Sequence, residues 1–147
     1  MTSVRLYDVF ITHAWRYHDD WTQAADALDA VPGLKWRNFS VPWHDPAMTP
    51  HTEVGGRFIR EWLESQIIPV HVVFFLAGVY AVKSNQKWLE LELEMARAHH
   101  KPVIGLPAIG AAEVPAELKS MCNRTVTWRG DAIFEAIEAL TRRTQAT

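Results

Sequence analysis

The chain has 147 residues, of which 48% are hydrophobic and 22% charged, and its formal net charge is −2. This length fits one domain over residues 1–147, the apolar fraction argues against disorder, and the slightly acidic balance argues against nucleic acid as a partner. The single cysteine excludes an internal disulfide and fits a cytoplasmic location. We expect no signal peptide and no membrane span, because the most apolar stretch (residues 67–82) is shorter than the roughly 20 residues that a bilayer requires.

Taken in chain order, short apolar runs alternate with segments of helical periodicity. Predicted strands cover residues 7–12, 36–41, 70–76, 102–106 and 124–128. Predicted helices cover residues 18–31, 53–65, 85–100, 115–121 and 131–143. Residues 42–50 contain three prolines and cannot form regular structure.

This alternation predicts parallel strands joined by helical crossovers. The expected fold class is a doubly wound, three-layer α/β sandwich with a five-stranded parallel sheet in the flavodoxin-like order 2-1-3-4-5. In such sheets ligands bind at the carboxyl ends of the strands, where the strand order reverses. The loops after the first and third strands, with the loop after the second beside them, are therefore the expected site.

Several chemistries common to this architecture lack their motifs. The first strand is not followed by GxGxxG, and no GxxxxGK[ST] phosphate loop is present. A phosphate-accepting receiver domain requires an aspartate at the end of the third strand, and the sequence there, VVFFLAG, has none. HExxH and paired CxxC motifs are also missing from the sequence, so we expect neither a metal site nor a bound cofactor.

The helix over residues 85–100 carries three glutamates that do not share one face. At about 100° per residue, Glu90 and Glu94 fall on a polar face, whereas Glu92 falls within the apolar arc, one turn after Trp88. A carboxylate on a buried face is costly unless it is paired or lines a cleft. Geometry alone leaves open a functional role, a structural salt bridge, or a rotated helix that exposes Glu92.

The order and spacing of several motifs resemble the Toll/interleukin-1 receptor (TIR) domain from Tyr7 to about Leu140. These motifs are YDVFITHAW at the start, an irregular loop after the second strand, Tyr80…Ser84…Trp88-x-x-x-Glu92, and Lys101-Pro102. The segment WRNFSVPWHDP (residues 36–46) is similar to a bacterial branch, the TIR-like ThsB proteins of the Thoeris anti-phage system. The loop after the second strand lacks the Arg-Asp and Pro-Gly pattern of animal signalling TIR domains.

The resemblance implies a chemistry. Enzymatic TIR domains cleave the bond between nicotinamide and ribose in NAD⁺, and by position Glu92 would be the catalytic residue. ThsB-like enzymes then form a cyclic ADP-ribose isomer, a messenger that reaches a partner effector protein. NAD⁺ is then a substrate and not a cofactor. The alternatives are a hydrolytic NADase that depletes NAD⁺ and a non-catalytic TIR-like interaction module.

The remaining substrate-binding candidates lie near the expected site. They are Thr12, His13, Ala14, Trp15, Arg16, Trp43, His44, Tyr80, Ser84 and Trp88. The tryptophans could stack on a base, and Arg16 or Arg37 could meet the pyrophosphate. Each candidate also has a structural alternative. The loop after the first strand could simply cap the sheet, and the arginines could form surface ion pairs. Ser84 and Asn85 could cap the following helix, and Tyr80 could pack in the core.

The resemblance also implies self-association, because TIR enzymes often complete the active site between subunits. The chain has seven tryptophans, more than a core of this size needs. We therefore expect a resting monomer or weak dimer whose activity rises on assembly. The loop over residues 42–50 is expected to border the pocket, with Trp43 or His44 in contact with substrate or a neighbouring subunit.

Overall fold

The computed structural model describes residues 6–12, 19–40 and 53–145. Within these ranges the predicted alternation of strands and helices is present. The strands are β1 (Leu6–Ile11), β2 (Lys35–Asn38), β3 (Val72–Leu76), β4 (Val103–Leu106) and β5 (Arg124–Thr125). The helices are α1 (Asp19–Asp29), α2 (Glu53–Ile67), α3 (Ala77–Tyr80), α4 (Gln86–Ala98), α5 (Ala116–Lys119) and α6 (Gly130–Gln145).

The five strands form one parallel sheet in the order β2-β1-β3-β4-β5, which confirms the predicted fold class. Helix α1 packs against α6, and α2 packs against α4, so the two pairs cover the sheet as separate layers. The strand order reverses between β1 and β3. The carboxyl ends of these two strands therefore mark the switch point at which such folds bind ligands.

The central strand shows why the apolar run in the sequence is continuous. Every residue of β3 is buried, and Phe74 pairs with Ile11 of β1 on one side and Ile104 of β4 on the other. A strand covered on both faces has no solvent-facing positions for polar residues. The buried hydrophobic core extends from this strand into α4, where Leu89 and Leu93 are buried.

The structure differs from the prediction after β3 and at β5. Residues 77–85 form the short helix α3 and a single 3₁₀ turn, Lys83–Asn85, neither of which was predicted. Both are shorter than the windows in which periodicity can be read. Strand β5 ends at Thr125, three residues earlier than predicted, and Trp128 beyond it donates its indole N–H to the Pro107 carbonyl oxygen at 3.0 Å.

None of the helices in the described ranges combines the length and the apolar character needed to cross a membrane.

The carboxyl end of α4 contains an unusual backbone conformation at His100, whose φ is 57°. The His100 N–H donates to the Arg97 carbonyl at 3.1 Å, and the Lys101 N–H donates to the Ala96 carbonyl at 2.8 Å. These two bonds define a Schellman motif with His100 at the position that glycine usually occupies. The neighbouring His99 contacts Glu64 of α2 through Nε2 at 3.1 Å.

Replacing His100 by glycine should stabilise the protein. A side chain in the left-handed region costs about 1–2 kcal/mol, and the greater freedom of glycine in the unfolded chain offsets part of that gain. We expect a net increase of about 0.5–1 kcal/mol in the free energy of unfolding, measured by urea titration. The matched control His99→Gly should lower it, and a loss of stability in His100→Gly would contradict the strain at this position.

Candidate active site

The carboxyl ends of β1 and β3 are joined by Thr12. Its backbone N–H donates to the Phe74 carbonyl at 2.9 Å, and its Oγ1 accepts a hydrogen bond from the Leu76 N–H at 3.0 Å. The side chain is fully buried. Thr12 therefore fixes the two strands at the switch point, and the hydroxyl keeps one proton that it can donate.

The segment after β3 is held in place by Asn85. This residue occupies the N-cap position of α4, but its side chain makes no capping hydrogen bond there. Instead its Nδ2 donates to the Val79 carbonyl at 3.1 Å, from a buried position. The expectation that the Asn85 side chain caps α4 is therefore wrong, because its amide bonds to α3 instead. Ser84 lies in the 3₁₀ turn, and its side chain is outside the described part of the structure.

Tyr80 connects α3 to α4 through its hydroxyl. It donates to Glu90 Oε1 at 3.1 Å, while its ring packs against Phe75 with centroids 5.5 Å apart. Partial burial raises the pKa of Tyr80, and the hydrogen bond to Glu90 adds to this effect. Because Glu90 and Glu92 project from opposite sides of α4, the Tyr80 hydroxyl lies away from Glu92.

Helix α4 separates its three glutamates as predicted. The side chain of Glu92 is 0% exposed, whereas Glu90 and Glu94 are exposed. Trp88, one turn earlier, is half-buried and packs against the hydrophobic core. Glu92 is thus fully buried on a helix that packs against α2, α3 and β3. The possibility that Glu92 faces solvent is excluded.

Asp20, in the first turn of α1, lies unexpectedly close to the backbone of α3. The sequence suggested only a helix N-terminus at this position. In the structure its carboxylate occupies the space beside Gly78, where an ideal Cβ would lie 2.7 Å from Asp20 Cγ. Trp21, the next residue, donates its indole N–H to Ser40 Oγ at 3.2 Å and so holds this turn at the carboxyl end of β2.

Arg37, a candidate for pyrophosphate binding, forms an ion pair within the sheet. Its Nε donates to Asp8 Oδ1 at 2.7 Å and its terminal nitrogen to Asp8 Oδ2 at 3.0 Å. The hydrogen bond to Asp8 is the main cause that raises the pKa of Arg37. The guanidinium also lies 5.7 Å from the centroid of the Phe39 ring. Arg37 therefore forms an ion pair, as in the structural alternative, but its partner Asp8 is buried and not at the surface.

The other candidates fall on parts of the chain outside the described residues. These are His13, Ala14, Trp15 and Arg16, between β1 and α1 in the sequence, and Trp43 and His44, between β2 and α2. Within the described ranges, no three His, Cys, Asp or Glu side chains are grouped so that they could hold a metal ion.

The described residues define a doubly wound α/β domain with a buried carboxylate in α4 and a second carboxylate beside the switch point. A scan against protein-family models finds no match to the chain, and neither does a search of curated proteins. The resemblance to TIR domains therefore rests on the motifs quoted above.

Proposed function

We propose that the protein is a cytoplasmic, TIR-like enzyme of anti-phage defence that cleaves the nicotinamide–ribose bond of NAD⁺. In this proposal the product is a cyclic ADP-ribose isomer, which acts as a messenger for a partner effector protein. Activity rises when the chains self-associate. The proposal combines the motif resemblance with the environment of one residue, Glu92.

The observation that carries the proposal is the complete burial of Glu92. The same helix bears two further glutamates, yet both are exposed. Water screens a solvated carboxylate, whereas a carboxylate in a less polar environment acts more strongly on a nearby positive charge. Glu92 is thus the glutamate of α4 best suited to stabilise a cation, and it is also the one that the motif resemblance selects.

The reaction needs this type of stabilisation. When the C–N bond breaks, its electron pair moves to the nicotinamide nitrogen, which becomes neutral and needs no acid to leave. Positive charge develops at the ribosyl carbon as an oxocarbenium ion, which a nearby carboxylate can stabilise. A nucleophile of the same molecule then attacks that carbon and closes a ring. Capture by water instead gives ADP-ribose, and exclusion of water favours the cyclic product.

Incubation of the purified protein with NAD⁺ tests the proposal directly. We expect mass spectrometry to detect nicotinamide together with a product one water lighter than ADP-ribose. ADP-ribose as the main product would support the hydrolytic alternative. Intact NAD⁺ after incubation over a wide range of protein concentrations would contradict the enzyme assignment and favour a non-catalytic interaction module.

A further inference from the structure

A histidine side chain takes part in the backbone hydrogen bonding between β1 and β3. His71 immediately precedes β3, and its backbone N–H donates to the Asp8 carbonyl of β1 at 2.7 Å. In return, the Asp8 N–H donates to Nδ1 of the His71 ring at 2.9 Å. The paired register of the two strands begins one residue later, at Val9 and Val72. His71 thus extends the ladder with a ring nitrogen as the acceptor, and we call these two hydrogen bonds the His71 latch.

The latch requires one protonation state of the ring. A neutral imidazole has one N–H donor and one acceptor nitrogen. Because Nδ1 accepts the Asp8 N–H, the proton of the neutral ring is on Nε2. A second proton would convert Nδ1 into a donor that faces another donor. The hydrogen bond from Asp8 would then be lost, and the backbone N–H would be left without this acceptor.

The groups beside the ring do not offset that loss. The Asp8 carboxylate could favour a charged ring, but it already accepts hydrogen bonds from Arg37 of β2 at 2.7 and 3.0 Å. Its negative charge is therefore balanced within the sheet. On the same strand, the Tyr7 ring meets the half-buried His71 ring edge-on, with centroids 6.0 Å apart and an interplanar angle of 81°.

We propose that His71 is an acid-sensitive latch, in which protonation of the ring releases the Asp8 N–H and loosens β1 from β3 at the amino-terminal edge of the sheet. The opposite end of the same strand pair is held by Thr12. The latch therefore lies away from the candidate active site, and the inference does not depend on the proposed enzyme activity.

The direction of the pH dependence follows from the tautomer. In an unfolded chain a histidine takes up a proton near about pH 6.5. Since the latch forms only with the neutral ring, the unfolded state binds more protons than the folded state as the pH falls through this range. The contribution of the latch is therefore complete well above about pH 6.5 and is lost progressively below it.

His71→Asn tests the latch, because asparagine keeps an acceptor and cannot titrate. Its Oδ1 is bonded to Cγ, as Nδ1 is in histidine, so it can accept the same Asp8 N–H. The measurement is urea unfolding at several values from about pH 8 to about pH 5. Over this range we expect the unfolding equilibrium constant of the wild type to rise about tenfold more than that of His71→Asn, the effect of one lost hydrogen bond. Equal pH dependence of the two proteins would overturn the proposal.

His100→Asn is the matched control for the removal of one histidine. His100 is exposed, and asparagine tolerates its φ of 57°. It lies just after the carboxyl end of α4, where a protonated side chain is favourable. Acid therefore gains nothing from its removal, and His100→Asn should lose at least as much stability in acid as the wild type does. A loss of the acid response in both asparagine variants would contradict a specific role for His71.

His71→Leu removes the acceptor at every pH. It should be less stable than His71→Asn even at about pH 8, because the Asp8 N–H then lacks this hydrogen bond. A His71→Leu protein as stable as His71→Asn would show that the bond to Nδ1 contributes nothing, and the latch would be wrong.

NMR tests the latch in the wild-type protein without any substitution. At about pH 8 the His71 ring should be the Nε2–H tautomer, and acidification to about pH 5 should lower the hydrogen-exchange protection factor of the Asp8 amide. The Thr12 amide is the internal control, because it donates to Phe74 at the other end of the same strand pair. Its protection factor should change less. An Nδ1–H tautomer, or equal changes at Asp8 and Thr12, would overturn the proposal.

Discussion

Glu92→Gln should give a folded protein whose rate of product formation from NAD⁺ is at least about a hundredfold lower than that of the wild type. Glutamine keeps the volume of the buried side chain and removes its charge. The lost electrostatic stabilisation of the oxocarbenium ion corresponds to about 3 kcal/mol in the transition state. The measurement is the initial rate of nicotinamide release, with folding checked by circular dichroism and thermal melts.

The chain provides two matched controls on the same helix. Glu90→Gln and Glu94→Gln remove the same charge from exposed positions, where a carboxylate contributes little. In Glu90→Gln the amide oxygen can still accept the hydrogen bond that Tyr80 donates. Both variants should therefore retain nearly the wild-type rate. A general effect of charge on α4 would lower all three rates together, and that result would contradict a specific role for Glu92.

Equal activity in all three folded variants would mean that Glu92 has a structural role. The proposed enzyme would then have no identified catalytic residue. A folded Glu92→Asp protein adds a second comparison, because aspartate keeps the charge but withdraws it by one methylene. If charge at this position stabilises the transition state, Glu92→Asp should be more active than Glu92→Gln. If packing alone matters, the isosteric Glu92→Gln should be the more active of the two.

The predictable features of this fold are those that repeat along the chain. Continuous apolar runs predicted the buried strands, and helical periodicity in α4 correctly assigned Glu92 to the interior and its two neighbours to solvent. These patterns work because burial is repeated every few residues along one element. Right-handed crossovers between short strands then leave few topologies, and the order 2-1-3-4-5 is one of them.

The features that escaped prediction depend on single contacts between distant residues. Nothing local indicates that the Asp20 carboxylate would lie beside Gly78, or that the Asn85 amide would bond to Val79 and not cap α4. An aspartate in the first turn of a helix is already explained by its favourable interaction with the helix dipole. The sequence therefore gave no reason to expect that Asp20 also contacts α3. A lone glycine just after a buried strand was the available signal, since glycine often marks the close approach of another group.

Thr12→Val should lower the free energy of unfolding by about 2 kcal/mol. Valine has nearly the same shape as threonine but cannot accept the hydrogen bond from the Leu76 N–H, which would be left buried and unpaired. The control Thr12→Ser keeps the hydroxyl and loses one methyl group, at a cost of about 0.8 kcal/mol. Urea titration should therefore rank stability as wild type, then Thr12→Ser, then Thr12→Val. If Thr12→Val proved as stable as Thr12→Ser, the hydrogen bond between Thr12 Oγ1 and the Leu76 N–H would not be what holds β1 to β3. The retained hydroxyl of Thr12→Ser should also leave the KM for NAD⁺ unchanged, because the switch point between the two strands keeps its geometry.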